Sequence, residues 1–163
     1  MAKRSKGGRD GSSTIAVNRR ARHDYHIDET VEAGLELAGT EVKSLRAGQA
    51  SLAHSFAAVR DGQAWLLQAD IPQYAQGGAF NHHPTRPRRL LLHRHEIDRL
   101  GRWAAESGRT LVPLELYWRD GRAKLRVGLG RGKAKVDKRR DIAERDANRA
   151  AERAVASRAK GRR

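Results

Sequence analysis

Cysteine is absent from this 163-residue chain, which rules out disulfides, thiolate zinc sites and thiol catalysis together and suits a reducing compartment. No apolar run approaches the roughly 20 residues needed to cross a bilayer. The Lys/Arg-rich start from Met1 to Arg9 leads into Asp10, Gly11, Ser12 and Ser13 rather than an apolar signal segment, so the expectation is a cytoplasmic protein without a membrane partner. Acidic residues are scarce at both ends: residues 1–22 set seven Lys/Arg against Asp10 alone, and residues 131–163 set thirteen against five. The thirteen acids of residues 23–130 are scattered, with Asp28-Glu29 the one adjacent pair. A magnesium-dependent nuclease needs them clustered, and no nucleophile is paired with a base, so no enzyme is expected.

What the chain does have is segregated positive charge. Its net charge is +15, yet residues 23–130 balance fourteen bases against the thirteen acids. A near-neutral body with a basic segment at each end suits a polyanion partner, because the ends neutralise phosphates without loading the core with self-repulsion. Nucleic acid is therefore expected, with RNA or DNA left open by charge alone. The length allows one folded domain, expected over residues 14–130, between a disordered basic arm at 1–13 and a basic tail at 131–163.

Two Asp-Gly pairs say most about the fold. Asp61-Gly62 and Asp120-Gly121 lie between strand-like flanks and each predicts a type I′ antiparallel hairpin. In the second hairpin Leu114, Leu116 and Trp118 alternate on one face, and Ala123, Leu125, Val127 and Leu129 alternate beyond the turn with Lys124 and Arg126 between them, giving a core face and a basic face. Pro113 has no amide proton for a ladder, which predicts an edge strand or one starting beyond it. Tyr25 to Glu36 reads as strand. Thr40 is a candidate cap for a short helix through Val42 and Leu45 that stops at Gly48. Asn81 to Arg89, with Pro84 and Pro87, reads as loop. Beyond Leu90 the period becomes helical, with Ile97, Leu100, Trp103 and Ala104 on one side and Gly108 as the stop. The expected fold is mainly β with helices: a small closed antiparallel β-barrel, OB-fold-like, with about two to three helices packed against it and a basic C-terminal tail.

In that tail Lys138, Arg145, Arg149, Arg153, Lys160 and Arg163 fall within about 80° on a helical wheel. Arg145, Arg149 and Arg153 repel at successive i,i+4 positions, while the alanines between them favour helix but bury little. The tail is expected to be disordered alone and helical once phosphates line the stripe.

Several segments carry a family pattern. Asn18-Arg19-Arg20-Ala21-Arg22-His23-Asp24-Tyr25, Glu32-Ala33-Gly34 and the ten residues from Gly39 to Gly48 are followed, in order, by Phe80-Asn81-His82, by Arg88-Arg89-Leu90-Leu91-Leu92-His93, by Leu111-Val112-Pro113-Leu114, by Gly121-Arg122-Ala123-Lys124 and by Gly130 to Lys133 with Asp137-Lys138-Arg139. Over residues 14 to 146 the chain resembles the small protein B (SsrA-binding protein) family of bacterial trans-translation. The resemblance implies a non-enzymatic protein without a cofactor that binds the tRNA-like domain of transfer-messenger RNA (SsrA RNA). It implies delivery of that RNA to stalled ribosomes, the tail occupying the empty mRNA channel and decoding centre against small-subunit rRNA, with elongation factor Tu as a partner through the RNA. Carried onto this sequence, it makes Asn18, Arg22, His23, Tyr25, Glu32, Gly34, Lys43, Arg46, Arg86, Arg88, Arg89 and Lys124 the RNA-binding candidates. Arg131, Gly132, Lys133, Asp137, Lys138, Arg139, Arg145, Arg149 and Arg153 become the ribosome-facing tail. The chain departs from the family pattern at His26, at Pro87 and at Val136, where a His or Tyr is common and able to stack on a base.

The same residues have plainer readings. Pairs such as His82-His83 and His93/His95 lack a ligand spacing for metal and read as surface or RNA-facing histidines. Gly128 to Ala134 lacks the spacing and the hydroxyl of a phosphate loop and reads as a hinge with Arg131 and Lys133 toward phosphates. A carboxylate such as Glu32 suits a guanine edge or a 2′-hydroxyl, against the plainer reading of a solvated strand residue. The rival function is a ribosomal or general single-strand RNA-binding protein of the same barrel class.

Overall fold

A computed structural model describes residues 12–160, with side chains to residue 157. Most of the expected basic arm lies outside the described residues; Ser13 already opens the first strand. The chain forms two compact units, Met1–Gly132 and Lys133–Arg163.

Among the described residues the first unit holds seven strands and three α-helices: β1 (Ser13–Val17), α1 (Ala21–Asp24), β2 (Tyr25–Leu35), α2 (Gly39–Arg46), β3 (Phe56–Arg60), β4 (Gln63–Leu67), β5 (Arg88–Leu91), α3 (Arg94–Ala105), β6 (Arg109–Arg119) and β7 (Arg122–Gly132). One sheet contains all the strands in the order β1-β6-β3-β4-β5-β2-β7, and β6 also pairs with β7. Every pairing is antiparallel.

Both Asp-Gly hairpins form. Asp61 and Gly62 have φ of 51° and 70°, and Asp120 and Gly121 have 50° and 72°, the left-handed pair that a type I′ turn requires. Each turn sets its register: Arg60 faces Gln63, and Arg119 faces Arg122. The alternation of β7 then drives Ala123, Leu125, Val127 and Leu129 into the core, joined by Leu45, Leu66, Leu90, Leu100, Leu111 and Leu116.

Pro113 corrects the edge-strand expectation. β6 starts four residues before it and is paired on both sides. On one side its partner changes from β3 at Leu111 to β1 at Glu115, and the register against β7 shifts between Pro113 and Glu115. The missing amide thus falls where no ladder bond is due.

Other boundaries move for physical reasons. α2 begins at Gly39, and its first turn is satisfied by Glu41, whose carboxylate accepts the Ala38 N–H at 2.8 Å, rather than by Thr40. The Thr40 hydroxyl pairs instead with Nδ1 of His82 at 2.8 Å, while His82 Nε2 donates to the Ile71 carbonyl at 2.8 Å. His82 is buried, not a surface histidine. Arg88 and Arg89, expected in a loop, belong to β5, which pairs with β4 and β2. In α3, Ile97 and Leu100 are buried but Ala104 is exposed; Gly108, with φ of 76°, ends the turn beyond it.

The second unit is the helix α4 (Lys135–Lys160), the segment expected to be helical on RNA. Asp137 sits in its first turn, where a carboxylate complements the helix dipole. Among the described residues no helix is long and apolar enough to cross a membrane.

Candidate nucleic-acid interface

Strand periodicity builds the main candidate surface. Val31, Ala33, Leu90 and Leu125 point into the core, so their neighbours Glu32, Gly34, Arg89, Leu91 and Lys124 point outward. Pairing of Gly34 with Leu91 on one side and Lys124 on the other brings β5, β2 and β7 together. Those outward residues, with Gln63, His93 and Glu96, line a cleft of about 570 Å³. Gly34 permits the close approach: a Cβ there would stand 3.2 Å from Leu91 Cβ.

Two further concavities adjoin this cleft and share Lys124. One, of about 380 Å³, is lined by Glu32, Arg119, Asp120, Arg122 and Lys124. The other, of about 400 Å³, runs past Leu91, Trp118 and Arg122 toward Leu37 and, on α2, Val42. Among the described residues neither Arg122 nor Lys124 forms a salt bridge, although Lys124 is near enough to Glu32 to act on its carboxylate, and Leu91 is 49 % exposed. Cations beside an open apolar side chain and a carboxylate can meet phosphate, base face and base edge together.

The carboxylate is held in place. Glu32 lies on β2, and its side chain reaches across β7 to β6, where Oε2 accepts the Tyr117 hydroxyl and Arg119 Nη1, the latter at 2.9 Å. The Tyr117 bond holds the Glu32 carboxyl below its ordinary range, helped by Arg119 and Lys124 against the opposing effect of burial. Burial and the Glu32 bond push the Tyr117 hydroxyl up to about 12. Tyr117 is 2 % exposed although alternation places it on the solvent face; the Arg126 guanidinium covers its ring at 5.0 Å and itself pairs with Glu115. Glu32 is therefore a fixed carboxylate at neutral pH. The stability it contributes is present above its unfolded pKa and is lost as pH falls through the lowered folded value.

Arg86 and Arg88 have another role. Arg88 is 0 % exposed: Nε donates to Glu41 at 2.7 Å, Nη1 to the Ala69 carbonyl at 2.7 Å and Nη2 to the Pro84 carbonyl at 2.9 Å. Arg86 grips the same carboxylate through Nε at 2.8 Å and Nη2 at 2.6 Å. Burial pushes Glu41 up, but Arg86, the Ala38 amide and Arg88 together hold it below its ordinary value. Arg88 cannot face RNA from this position, which corrects its assignment. The arginines instead tie α2 to β5 and to the segment before it, beneath the strand that carries Arg89 and Leu91.

The remaining candidates divide. Arg89 lines the cleft and pairs with Glu36 at 2.7 Å. Lys43 lies over the Tyr74 ring at 5.2 Å, and Arg46 is exposed one turn further along α2. Asn18 Nδ2 donates to the Pro113 carbonyl at 2.9 Å, and Asn18 and Tyr25 line a separate cleft of about 330 Å³ with Arg20, His54 and Phe56. His23 Nδ1 shares a 3.0 Å hydrogen bond with Asp24, and Arg22 is exposed on α1. None of Asn18, Arg22, His23 and Tyr25 lines the Lys124 cleft. Arg131 makes a two-pronged contact with Asp28, both bonds 2.9 Å, and Gly132 donates to the Gly108 carbonyl at 3.3 Å, so both belong to the sheet.

Lys133, two residues before α4, pairs with Asp141 on that helix, and Arg145 Nε donates to the Asp141 carbonyl at 3.2 Å. Arg139, Arg145, Arg149 and Arg153 are exposed and Lys138 is half-buried. Val136 is 67 % exposed. Sequence reasoning named neither Tyr117 nor Arg119, nor Arg122 or Leu91 as site residues; the period-2 pattern around Glu32 and Lys124 was the signal for Leu91 and Arg122.

A family model described as SmpB protein matches residues 15–157. The chain is 58 % identical over 156 residues to the SsrA-binding protein of Thermobifida fusca, covering 95 % of this chain and 98 % of that one. It is 51 % identical over 161 residues to the SsrA-binding protein of Corynebacterium glutamicum, covering 99 % and 98 %. Among solved structures, one described as "tmRNA-SmpB: a journey to the center of the bacterial ribosome" matches with a TM-score of 0.62 and 51 % identity over 73 % of this chain and 84 % of that one.

Proposed function

The chain belongs to the SmpB family, and on that footing we propose that it is an SsrA-binding protein: it binds transfer-messenger RNA and works with it at the ribosome in trans-translation. Its role is that of a binding protein rather than an enzyme, carried out in the cytoplasm where ribosomes work. The observation that carries the assignment to particular residues is the meeting of Glu32, Leu91 and Lys124 in one cleft.

In this reading Arg122 and Lys124 meet phosphates of the tRNA-like domain, Leu91 packs against a sugar or base face, and Glu32, oriented by Tyr117 and Arg119, accepts from a base edge or 2′-hydroxyl. The body is a closed barrel, OB-fold-like. Support comes from the pairings, since β6, β3, β4, β5, β2 and β7 each bond the next and β7 returns to β6. The tail docks its Lys138, Arg145, Arg149 and Arg153 stripe on small-subunit rRNA in the empty mRNA channel, folding as it binds. Elongation factor Tu is reached through the RNA.

Glu32→Gln keeps the shape and removes the charge. The variant is expected to bind the tRNA-like RNA more weakly by about 1–3 kcal/mol, with an unchanged dependence on salt because no phosphate is neutralised at this position. Lys124→Ala should reduce the salt slope by about one. Filter binding across a salt series measures both, and equal affinity of Glu32→Gln and wild type contradicts the assignment.

A further inference from the structure

Beside the Lys124 cleft the sheet sets one guanidinium between two carboxylates. Arg126 on β7 is the register partner of Glu32 on β2 and, on its other side, of Glu115 on β6. The three share the outer face, since the residues flanking them in sequence, Val31, Ala33, Leu114, Leu116, Leu125 and Val127, are buried. Directly opposite residues of an antiparallel pair have Cβ atoms about 4.5–5.5 Å apart, so either carboxylate is within reach of Arg126. It takes Glu115: Nη1 donates to Glu115 Oε2, and the guanidinium settles over the Tyr117 ring at 5.0 Å. Glu115 is tethered from β1 as well, where its Oε1 accepts the Thr14 hydroxyl at 2.6 Å.

The consequence falls on Glu32. Its opposite cation is engaged elsewhere, and its side chain reaches Tyr117 and Arg119 instead. From there it lines both Lys124 concavities that carry a carboxylate, neither of which Arg126 lines. Among the described residues both hydrogen bonds to Glu32 fall on Oε2, which leaves Oε1 as the acceptor for a base edge or 2′-hydroxyl. An Arg126 released from Glu115 has Glu32 as its other cross-strand carboxylate. A guanidinium takes a carboxylate through two parallel N–H···O bonds, and such a pair occupies both oxygens that RNA needs.

We propose that Glu115 is a positioning residue for RNA recognition: by holding Arg126 it keeps the Glu32 carboxylate open to the tRNA-like domain, without lining the cleft itself. The inference rests on the reading of Glu32 as an RNA contact. Its sign is opposite to that of bulk electrostatics. Deleting an acid from an RNA-binding surface raises the positive charge, which by itself tightens binding; deleting Glu115 weakens it, because the cation set free captures Glu32.

The experiment titrates the full-length protein with the isolated tRNA-like RNA fragment at fixed salt. Glu115→Ala is expected to bind about five-fold or more weakly, the lower end of what losing a hydrogen bond to a charged group costs. Glu115→Gln, which keeps the shape and the Thr14 bond but not the charge that holds Arg126, is the second variant and moves in the same direction. Arg126→Met keeps an unbranched apolar stem for the Tyr117 ring and should bind within about two-fold of wild type, as a neutral surface change does. Added to Glu115→Ala, it should restore affinity to that level, since no cation remains to capture Glu32. In a Glu32→Gln background Glu115→Ala should have no further effect, the non-additivity expected of groups acting through one contact. Unchanged or tighter binding by both Glu115 variants overturns the inference, and so does a loss that Arg126→Met fails to restore. A Glu32→Gln protein that binds as wild type, or a wild type that does not bind the fragment, overturns the reading of the cleft and the inference together; a Glu32→Gln defect with unaffected Glu115 variants overturns the inference alone.

Discussion

Glu41→Gln is expected to destabilise the protein by about 3–5 kcal/mol, because it removes the charge that compensates Arg88 in a fully buried pair. The amide can still accept one bond, yet Arg88 is 0 % exposed and has no route to water. For a domain of this size the loss corresponds to a fall in Tm of roughly 6–20 °C. Replacing Glu41 and Arg88 together by Met should recover part of it, since removing both charges ends the desolvation penalty. Recovery stays incomplete because the carbonyls of Ala69 and Pro84, now bonded by Arg88, lose their donor. Calorimetry of the three variants measures these differences. A Glu41→Gln change of under about 1 kcal/mol would show that the pair is not the link between α2 and β5.

Removal of everything after Gly132 should leave a folded body that binds the tRNA-like RNA within about 0.5 kcal/mol of the full chain, the scatter of a neutral change, while tagging on stalled ribosomes falls to background. The reason is the division of labour. The proposed RNA cleft is built wholly from residues of the first unit, whereas the Arg145, Arg149 and Arg153 stripe lies wholly on α4. Ala147→Pro gives the same test in the full chain. It removes a helical hydrogen bond within the stripe at a cost of about 3 kcal/mol to the helix, which should abolish tagging and spare RNA binding. Circular dichroism of the peptide from Lys133 onward checks the coupling of folding to binding: little helix in low salt is expected, because the stripe repels itself until phosphates compensate. Equal loss of RNA binding and tagging in the truncated protein would contradict the division.

These expectations draw unequally on the sequence. The hairpins were legible because Asp-Gly turns act locally, and the core of β7 was legible because alternation is a local pattern too. Arg88 was not. Three arginines among prolines read as solvated loop, and nothing local tells that one of them meets a carboxylate 47 residues away. Pro113 misled for a related reason, since a missing amide matters only if a partner strand is due there, and the change from β3 to β1 along β6 is a tertiary fact. Tyr117 was hidden because alternation assigns a face, whereas its burial comes from Arg126 and Glu32 folding over that face. The candidate site was half legible: Glu32, Gly34, Arg89 and Lys124 converge, while Asn18 and Tyr25 line a different cleft.

Sequencing of the RNA that copurifies with the native full-length protein tests the central claim most directly. One structured RNA, the SsrA transfer-messenger RNA, should dominate the bound pool and be depleted in Glu32→Gln preparations. A pool of bulk rRNA or mixed mRNA, unchanged by that substitution, would contradict the account and favour a general RNA-binding protein of the same fold.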